Sequence, residues 1–272
     1  MPKNRILAAL PPEELERIQP HLELVELPLR KVLIDPNRPI EHVYFVEEGV
    51  VSILGVMQDG TAVETATIGH EGMVGLPVFL GAESMAAQAF AQVSGSGYRL
   101  PSGVLLRELE HGGAMRRLLG RFTQALITLV AQNSACNRVH TAEQRCARWL
   151  LLTADRAGRD TIDLTHLFLS QMLGVRRATV TEIAGALQAR GLIDYSRGRI
   201  TLVDRAGLEE ASCECYRVIL SEFDRLLENR ATPSPLDDLD ISESGISTAG
   251  DGAPQDPAAM AGEFGPDAGV RP

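Results

Sequence analysis

The clearest structural signal in the chain lies at residues 163–204, which read DLTHLFLSQMLGVRRATVTEIAGALQARGLIDYSRGRITLVD. Thr165 is placed to cap a helix over residues 166–173, because its side-chain oxygen can accept a hydrogen bond from an unpaired backbone N–H of the first turn. Gly174 can supply a tight turn, and a second helix starts directly after it. Residues 193–202 then have the pattern of a β-hairpin with a glycine near its tip. The order of these elements predicts a helix-turn-helix followed by a β-wing.

The second helix of this motif carries an apolar stripe on one face and basic and polar side chains on the other. The stripe consists of Val180, Ile183, Ala184 and Leu187. The helix starts with two arginines, at the place where a recognition helix meets base edges in the major groove, and the basic wing tip can donate to phosphate. The predicted DNA-binding residues are Thr165, His166, Arg176, Arg177, Thr179, Thr181, Glu182, Ser196, Arg197 and Arg199. The alternative is an ordinary helical hairpin with a solvated arginine face, but helix, glycine turn, arginine-led helix and basic wing in this order favour DNA binding.

Residues 22–101 have the pattern of an antiparallel sheet. Residues 22–27 alternate apolar and acidic side chains, and residues 43–46 form a β-rich run. Turn signals recur at Glu48-Gly49, at Asp59-Gly60 and at residues 69–72. Short strands at near-regular spacing predict a β-roll or a sandwich. Residues 1–20 are expected to form a short helix before it, with prolines and acids at the helix N-terminus.

In residues 113–140 the spacing of the apolar side chains becomes that of a helix. Seven side chains are separated by alternating steps of four and three residues, namely Met115, Leu119, Phe122, Leu126, Leu129, Asn133 and Cys136. This spacing is typical of a coiled-coil seam, in which a polar residue such as Asn133 can fix the register. It predicts a homodimer whose interface contains Met115, Leu119, Phe122, Leu126, Leu129 and Asn133. The alternative is a helix packed on its own domain. A further helix is expected over residues 141–157, ending at Gly158.

Charge and composition separate residues 231–272 from the rest of the chain. The net charge is −10, and this segment contributes −7 of it. The segment is rich in Pro, Gly, Ala, Ser and Asp and has little to bury, so we expect a disordered acidic tail. The remaining body is only weakly acidic, which leaves DNA binding open. The sequence contains neither a long apolar span nor a secretion signal, so a cytoplasmic location without a membrane partner is expected.

These patterns together predict an α+β fold with four parts. Residues 1–112 are expected to form a β-roll, residues 113–140 a dimerisation helix and hinge, residues 141–230 a winged helix-turn-helix, and residues 231–272 the tail. The sequence contains no Gly-x-Ser-x-Gly, phosphate-loop or His-Glu-x-x-His motif, so an enzyme is not expected.

The sequence resembles the Crp/Fnr family of transcription regulators over about residues 5–225. The resemblance is strongest in LGVRRATVT at residues 173–181 and in LQARGLI at residues 187–193, and the glycine spacing around Gly49, Gly60, Gly69 and Gly75 is similar. It implies a cyclic-nucleotide-binding-like roll and a homodimer that binds a palindromic operator in double-stranded DNA. It also implies a position near promoters, where RNA polymerase is a further expected partner. Ala178 stands where the family often has a glutamate, so we expect a different preferred half-site.

The sensor end departs from the family members that bind cyclic nucleotides. Those members hold the cyclic phosphate with an Arg-Ser pair, where this chain has Met85 and Ala86, and the ribose with a glutamate, where it has Leu76 or Pro77. An anionic phosphate would be buried there without a cation, which is costly. The corresponding pocket would consist of Gly75, Leu76, Met85, Ala86 and Val130. We therefore expect a regulator that does not depend on cyclic AMP, that needs no cofactor, and whose effector the sequence does not identify. A signalling protein that responds to a cyclic nucleotide or another small ligand is the alternative.

Four cysteines, Cys136, Cys146, Cys213 and Cys215, form no regular disulfide framework. Cys213 and Cys215 fit a thiol switch or half of a metal site, which His166 or a partner chain would have to complete. A structural role is favoured, and no metal is predicted. The iron–sulfur members of the family use N-terminal cysteines, and none precedes Cys136. His70 lies in a predicted surface turn, so it is not expected to bind haem.

Overall fold

A computed structural model of the chain describes residues 1–58 and 62–227. Its N-terminal part forms two short helices and a 3₁₀ turn, which are α1 (Arg5–Ala8), α2 (Pro12–Ile18) and Gln19–His21. Pro12 occupies the first helical position of α2, where no backbone N–H is needed, and Glu13 follows it near the positive end of the helix dipole. The expected N-terminal helix is therefore present as two short ones.

Six antiparallel strands form a β-roll after these helices. They are β1 (Glu23–Leu27), β2 (Val32–Ile34), β3 (His42–Val56), β4 (Ala62–Ile68), β5 (Met73–Val74) and β6 (Gln88–Pro101). The strand order is β1-β6-β3-β4, with β2 paired to β6 and β5 to β3. Inward side chains such as Phe45 and Val51 are fully buried. A short helix, α3 (Leu76–Phe79), lies between β5 and β6. The predicted antiparallel roll is confirmed.

Gly49 lies inside a strand and not in a turn, contrary to the prediction from Glu48-Gly49. β3 continues through this position, with register shifts against β6. Gly49 has a φ of +86°, and a Cβ there would lie 2.5 Å from the backbone oxygen of Val93 in β6. Only glycine fits so close a backbone approach in this conformation. The residue therefore marks a β-bulge between the two long strands.

Two helices follow the roll, α4 (Ser102–Glu110) and α5 (Gly113–Val139). The N-terminus of α5 has no side-chain cap of its own. The buried Glu14 of α2 instead accepts hydrogen bonds from Ala114 N (2.7 Å) and Met115 N (2.8 Å). Burial alone would raise the pKa of Glu14, but these two N–H groups hold the pKa below its usual value. The N-terminal helices thus fix the start of the long helix.

The C-terminal part combines helices with a small antiparallel sheet. Its helices are α6 (Ala142–Ala157), α7 (His166–Leu173), α8 (Arg177–Ala189), α9 (Arg205–Ala211) and α10 (Cys215–Leu227). Its strands are β7 (Thr161–Asp163), β8 (Ile193–Ser196) and β9 (Arg199–Leu202), in the order β7-β9-β8. The predicted helix over residues 141–157 is confirmed, with a capping box between Thr141 and Gln144 and a left-handed Gly158 at its end. Helices α3, α4, α9 and α10 and strand β7 are not among the predicted elements.

The seam predicted on α5 is buried inside the chain itself. Five of its side chains are at most 1 % exposed, namely Met115, Leu119, Phe122, Leu129 and Cys136, whereas Leu126 is half-buried. α10 covers part of this face, with the rings of Phe122 and Phe223 6.3 Å apart. The half-buried Asn133 donates to Thr65 O (3.0 Å) and accepts from Arg148 Nη1 (2.7 Å). The prediction of a dimer seam at these positions is corrected. Their regular spacing serves packing within the chain, and the five buried side chains are unavailable to a partner.

A second face of α5, here called the outer face, is exposed. It consists of Gly120, Ile127, Val130, Ala131 and Ser134. Ile127 is 58 % exposed and Val130 39 % exposed. Gly120, Ile127, Ala131 and Ser134 follow one another at steps of seven, four and three residues, so a single helix carries two faces with the spacing of a seam.

The remaining predictions concern one turn and the tail. The turn predicted at residues 69–72 is confirmed by a hydrogen bond from Gly72 N to Gly69 O (3.1 Å). The turn at Asp59-Gly60 and the tail at residues 231–272 lie outside the described residues. The described residues all belong to one compact unit. Among them, no helix is both long enough and apolar enough to cross a membrane.

Candidate DNA-binding surface and sensor site

Helix α7, the turn after it and α8 form the helix-turn-helix. Thr165 Oγ1 accepts from Phe168 N (3.2 Å) and caps α7 as predicted. Gly174 has a φ of +63° and ends α7. Arg176 is the N-cap residue of α8, which begins at Arg177. The predicted apolar stripe is at most 7 % exposed, so α8 turns its other face to solvent.

The predicted DNA-binding side chains all reach the surface of this part of the chain. Eight are exposed, namely Thr165, Arg176, Arg177, Thr181, Glu182, Ser196, Arg197 and Arg199, and His166 and Thr179 are half-buried. The two arginines at the start of α8 present planar forks of N–H donors. Such forks match the O6 and N7 acceptors of guanine in the major groove.

His166 positions its neighbours, because its ring is held on both sides. The ring stacks on Tyr195 of the wing with centroids 4.3 Å apart, and Nδ1 lies 3.0 Å from Thr181 Oγ1 on α8. Burial lowers the pKa of His166, and the nearby positive charge of Arg177 lowers it further. The imidazole is therefore neutral at neutral pH and connects α7, α8 and the wing.

The wing is built from β8 and β9, and β7 extends it to three strands. Its tip consists of Arg197 (φ +51°) and Gly198 (φ +77°), two successive left-handed residues as a tight type I′ hairpin turn requires. Leu164 N donates to Gly198 O (2.7 Å) and ties the tip to the start of the helix-turn-helix. The exposed Arg199 is paired with Asp163 (Nε to Oδ1, 2.9 Å). The exposed Arg197 at the tip is the better placed of the two arginines to meet a phosphate.

Polar contacts join α6 to the roll and to α5. Arg156 Nε donates to Glu71 Oε1 (2.7 Å), and Arg148 donates to Asn133 of α5. Trp149 Nε1 donates to Glu64 Oε1 (2.7 Å) in β4. Burial raises the pKa of Glu64 to about 7, although hydrogen bonds from Ser52 and Trp149 oppose the rise. The contact of β4 with α6 thus contains a carboxyl group that titrates near neutral pH.

The predicted sensor residues are spread over three elements. Gly75 and Leu76 lie at the start of α3, and Leu76 is buried. Met85, half-buried, and Ala86, exposed, lie before β6, where Asn37 N donates to Met85 O (2.7 Å). Val130 lies on the outer face of α5.

A cavity of about 410 Å³ lies between the roll and α7. Its walls include Arg30 and Phe90 from the roll and Phe168 and Met172 from α7. None of the residues predicted for the sensor pocket lines it. Sequence patterns could not indicate this cavity, since it depends on how α7 packs against β4 and β6.

Three of the cysteines converge with a histidine that the sequence analysis did not single out. Cys136, Cys213 and Cys215 form a small buried cluster, and His140 lies beside them. The expectation that His166 would have to complete a site with Cys213 and Cys215 is corrected, because His166 lies against Tyr195. The signal that could have revealed the group is the spacing of Cys136 and His140, which are neighbours on one helix face.

An antiparallel roll, a long helix and a winged helix-turn-helix in one chain define a DNA-binding regulator with an N-terminal domain of sensor type. Residues 24–111 match the family described as cyclic nucleotide-binding domain, and residues 144–211 match the Crp-like helix-turn-helix domain. The chain belongs to the Crp/Fnr family of transcription regulators, which bind DNA and are not enzymes. No protein with curated annotation matches it in sequence.

Solved structures share this fold at low sequence identity. FixK2 from Bradyrhizobium japonicum has a TM-score of 0.61 and 20 % identity over 71 % of this chain and 98 % of its own. The c-di-GMP-responsive global regulator CLP of Xanthomonas campestris has a TM-score of 0.58 and 17 % identity, covering 70 % of this chain and 98 % of its own. A transcriptional regulator of the CRP family from Thermus thermophilus, TTHB099, has a TM-score of 0.57 and 20 % identity, covering 69 % of this chain and 96 % of its own.

Proposed function

We propose that the chain is a homodimeric, sequence-specific transcription regulator that inserts α8 of each protomer into the major groove of an operator. The observation that carries this proposal is the pair of exposed arginines, Arg176 and Arg177, at the start of a helix whose opposite face is buried. Arginine forks at this position read guanine, and an exposed arginine at the wing tip contacts the backbone beside it. Output at a promoter would involve RNA polymerase as a further partner, inside the cell.

The outer face of α5 is the surface that supports dimerisation. Its small and branched side chains, Gly120, Ile127 and Ala131 among them, would let two copies of the helix approach closely. Two copies related by a twofold axis present two recognition helices in inverted orientation, and such a dimer reads a palindromic operator.

We further propose that DNA binding does not require cyclic AMP. In support, Met85 and Ala86 offer no cation to a cyclic phosphate, and Val130 offers no hydrogen bond to a purine. CLP, which has a similar fold, is named for its response to c-di-GMP. This likeness supports the view that the fold alone does not determine which effector a regulator binds.

Cyclic AMP and cyclic GMP at millimolar concentration are expected to leave the Tm of the full chain unchanged in a thermal-shift measurement. A ligand at a hundred times its Kd would add about 2.7 kcal/mol of stability, which is easily measured. A rise in Tm together with tighter operator binding would contradict the proposal.

A second candidate function, response to another small ligand, is favoured by the cavity of about 410 Å³ between the roll and α7. Its volume suits a small organic molecule, and its walls join the roll to the helix-turn-helix. Met172→Trp would place a larger, rigid side chain in the wall of this cavity and narrow it. If a ligand acts there, the variant loses the ligand-induced change in DNA affinity but keeps its basal binding.

Arg177→Ala is expected to cost about 1–3 kcal/mol at the operator and to relax the preference at one base pair. Arg197→Ala is expected to weaken all duplexes similarly and to reduce the slope of log K against log salt by about one unit, because its partner is phosphate. Competition binding with operator and scrambled duplexes at several salt concentrations separates these effects.

The matched control is Arg190→Ala. This exposed arginine stands at the C-terminal end of α8 and is paired with Glu143 (2.8 Å), so its loss should leave DNA binding nearly unchanged. If Arg177→Ala weakened binding to both duplexes equally and Arg197→Ala changed the base preference, the roles assigned to the two arginines would be reversed. No effect from either would remove this surface from the DNA interface.

A further inference from the structure

Four side chains that bind soft metals meet at the C-terminal end of α5. Cys136 and His140 come from α5 and its cap, Cys213 comes from the segment between α9 and α10, and Cys215 is the first residue of α10. Their donor atoms all lie within 4.8 Å of one another. Cys136 Sγ is 3.5 Å from Cys213 Sγ, and Cys215 Sγ is 3.5 Å from His140 Nδ1.

The surroundings of this group orient it toward a common centre. The three cysteines are at most 4 % exposed, and the His140 side chain is 14 % exposed. His140 presents Nδ1 to the sulfurs and Nε2 to Glu214 Oε2, 3.2 Å away. A carboxylate on the second ring nitrogen is the usual outer partner of a histidine that binds a metal, since it fixes the ring and the tautomer. Gln132 Nε2 also donates to Cys215 Sγ (3.1 Å).

We propose that Cys136, His140, Cys213 and Cys215 bind one tetrahedral zinc ion. Zinc bonds of about 2.3 Å to sulfur and about 2.0 Å to nitrogen place neighbouring ligand atoms roughly 3.5–3.8 Å apart. Two of the observed separations, both 3.5 Å, match these edges, and all the donor atoms lie within 4.8 Å of one another, so an ion would draw the other pairs closer by at most about 1 Å. An iron–sulfur cluster needs its ligand sulfurs farther apart, because several iron and sulfide atoms lie between them. Magnesium and calcium are excluded by the donor set, since these ions take oxygen ligands.

The proposed ion would join two parts of the chain that are far apart in sequence. His140 is the C-cap residue of α5, and α6 begins at Ala142. The site therefore lies at the junction between the long helix and the helices that carry the DNA-binding surface. Four ligands from protein side chains leave no open position for a substrate, so the ion's role is structural.

The full chain, purified without chelators, is expected to contain one equivalent of zinc by inductively coupled plasma mass spectrometry. Exchange with Co²⁺ should give thiolate-to-cobalt charge-transfer bands and the intense d–d absorption of a tetrahedral ion. Cys213→Ala and Cys215→Ala should lose the metal. Cys146→Ala is the matched control, because Cys146 is a buried free cysteine outside the group, and it should keep one equivalent.

Glu214→Gln tests the site without disturbing the core, since the Glu214 side chain is 65 % exposed. The zinc affinity of the Glu214→Gln variant, measured by competition with a chelator, is expected to be about 10- to 100-fold lower than that of the wild type. A metal-free wild-type protein with four reactive thiols, a disulfide in place of the metal, or iron with acid-labile sulfide would each overturn the proposal. So would full zinc content in both cysteine variants, or unchanged affinity in Glu214→Gln.

Discussion

Glu71→Ala is expected to lower the free energy of unfolding by about 3–5 kcal/mol, because it leaves a buried guanidinium without its counter-charge. Glu71 and Arg156 are 5 % and 6 % exposed, and Arg156 Nε lies 2.7 Å from Glu71 Oε1. Glu71 Oε1 also accepts from Gly69 N (3.0 Å). The Arg156 guanidinium donates to Thr67 and lies over the ring of Phe223, 5.5 Å from its centroid.

Chemical denaturation of the wild type and the variant measures this loss. The double variant Glu71→Leu with Arg156→Met should recover most of the stability, because an apolar pair removes both charges together. Glu23→Ala is the control. It breaks an exposed pair with Arg99 and should cost no more than about 1 kcal/mol. If Glu71→Ala lowered the free energy of unfolding by less than Glu23→Ala does, the buried pair would contribute little to stability.

The same pair predicts how stability depends on pH. Burial would raise the pKa of Glu71, but Arg156 and backbone N–H groups hold the pKa below its usual value of 4.5. The unfolded chain therefore binds this proton at higher pH than the folded chain does. The stabilisation is complete above pH 4.5 and is lost as the pH falls through the lower folded pKa. The double variant should lose less stability than the wild type in this acidic range.

Ile127→Asp combined with Val130→Asp is expected to yield monomers and to reduce operator affinity about 10²- to 10⁴-fold. Both side chains lie on the outer face of α5, where charge would be buried against a partner helix. Each monomer would then bind one half-site independently. The affinity that a dimer gains by holding its second recognition helix at high effective concentration near the second half-site would be lost. Light scattering measures the mass, and titration with a full operator measures the affinity.

Two comparisons make this test specific. Leu24→Asp places a charge on an exposed leucine of β1 and should leave the dimer intact. Leu129→Asp changes a side chain that is 1 % exposed and should unfold the chain instead of dissociating it. A dimer that persists after substitution of Ile127 and Val130 would assign the interface to another surface.

The helix-turn-helix could be predicted from the sequence because its signals are local. Thr165, Gly174 and Gly198 each set the backbone over a few residues, and the stripe of α8 repeats at helical spacing. The face of α5 could not be assigned in this way. The spacing of apolar residues shows that a helix face is buried, but it does not show which element buries it. Here α10 covers part of that face.

Other differences arise from contacts between distant segments. Gly49 has the sequence signal of a turn, yet the neighbouring strand β6 makes it a bulge. The amphipathic spacing of Val218, Ile219 and Phe223 could have indicated α10. Cys136 and Cys213 are 77 residues apart, so their contact depends on the packing of α10 along α5.

The return of α10 to α5 changes how the DNA-binding part of the chain can move. α6 leaves α5 at its C-terminal end, whereas Phe223 of α10 meets α5 again at Phe122, about 25 Å back along the helix axis. Between these ends, Thr128 and Gln132 of α5 contact Glu222 and Cys215 of α10. Arg156 of α6 also binds Glu71 of the roll, so the DNA-binding part is held to the long helix and to the roll at several places at once. A signal that repositions α8 must therefore release the contacts with the roll or move α5 and α10 together with it.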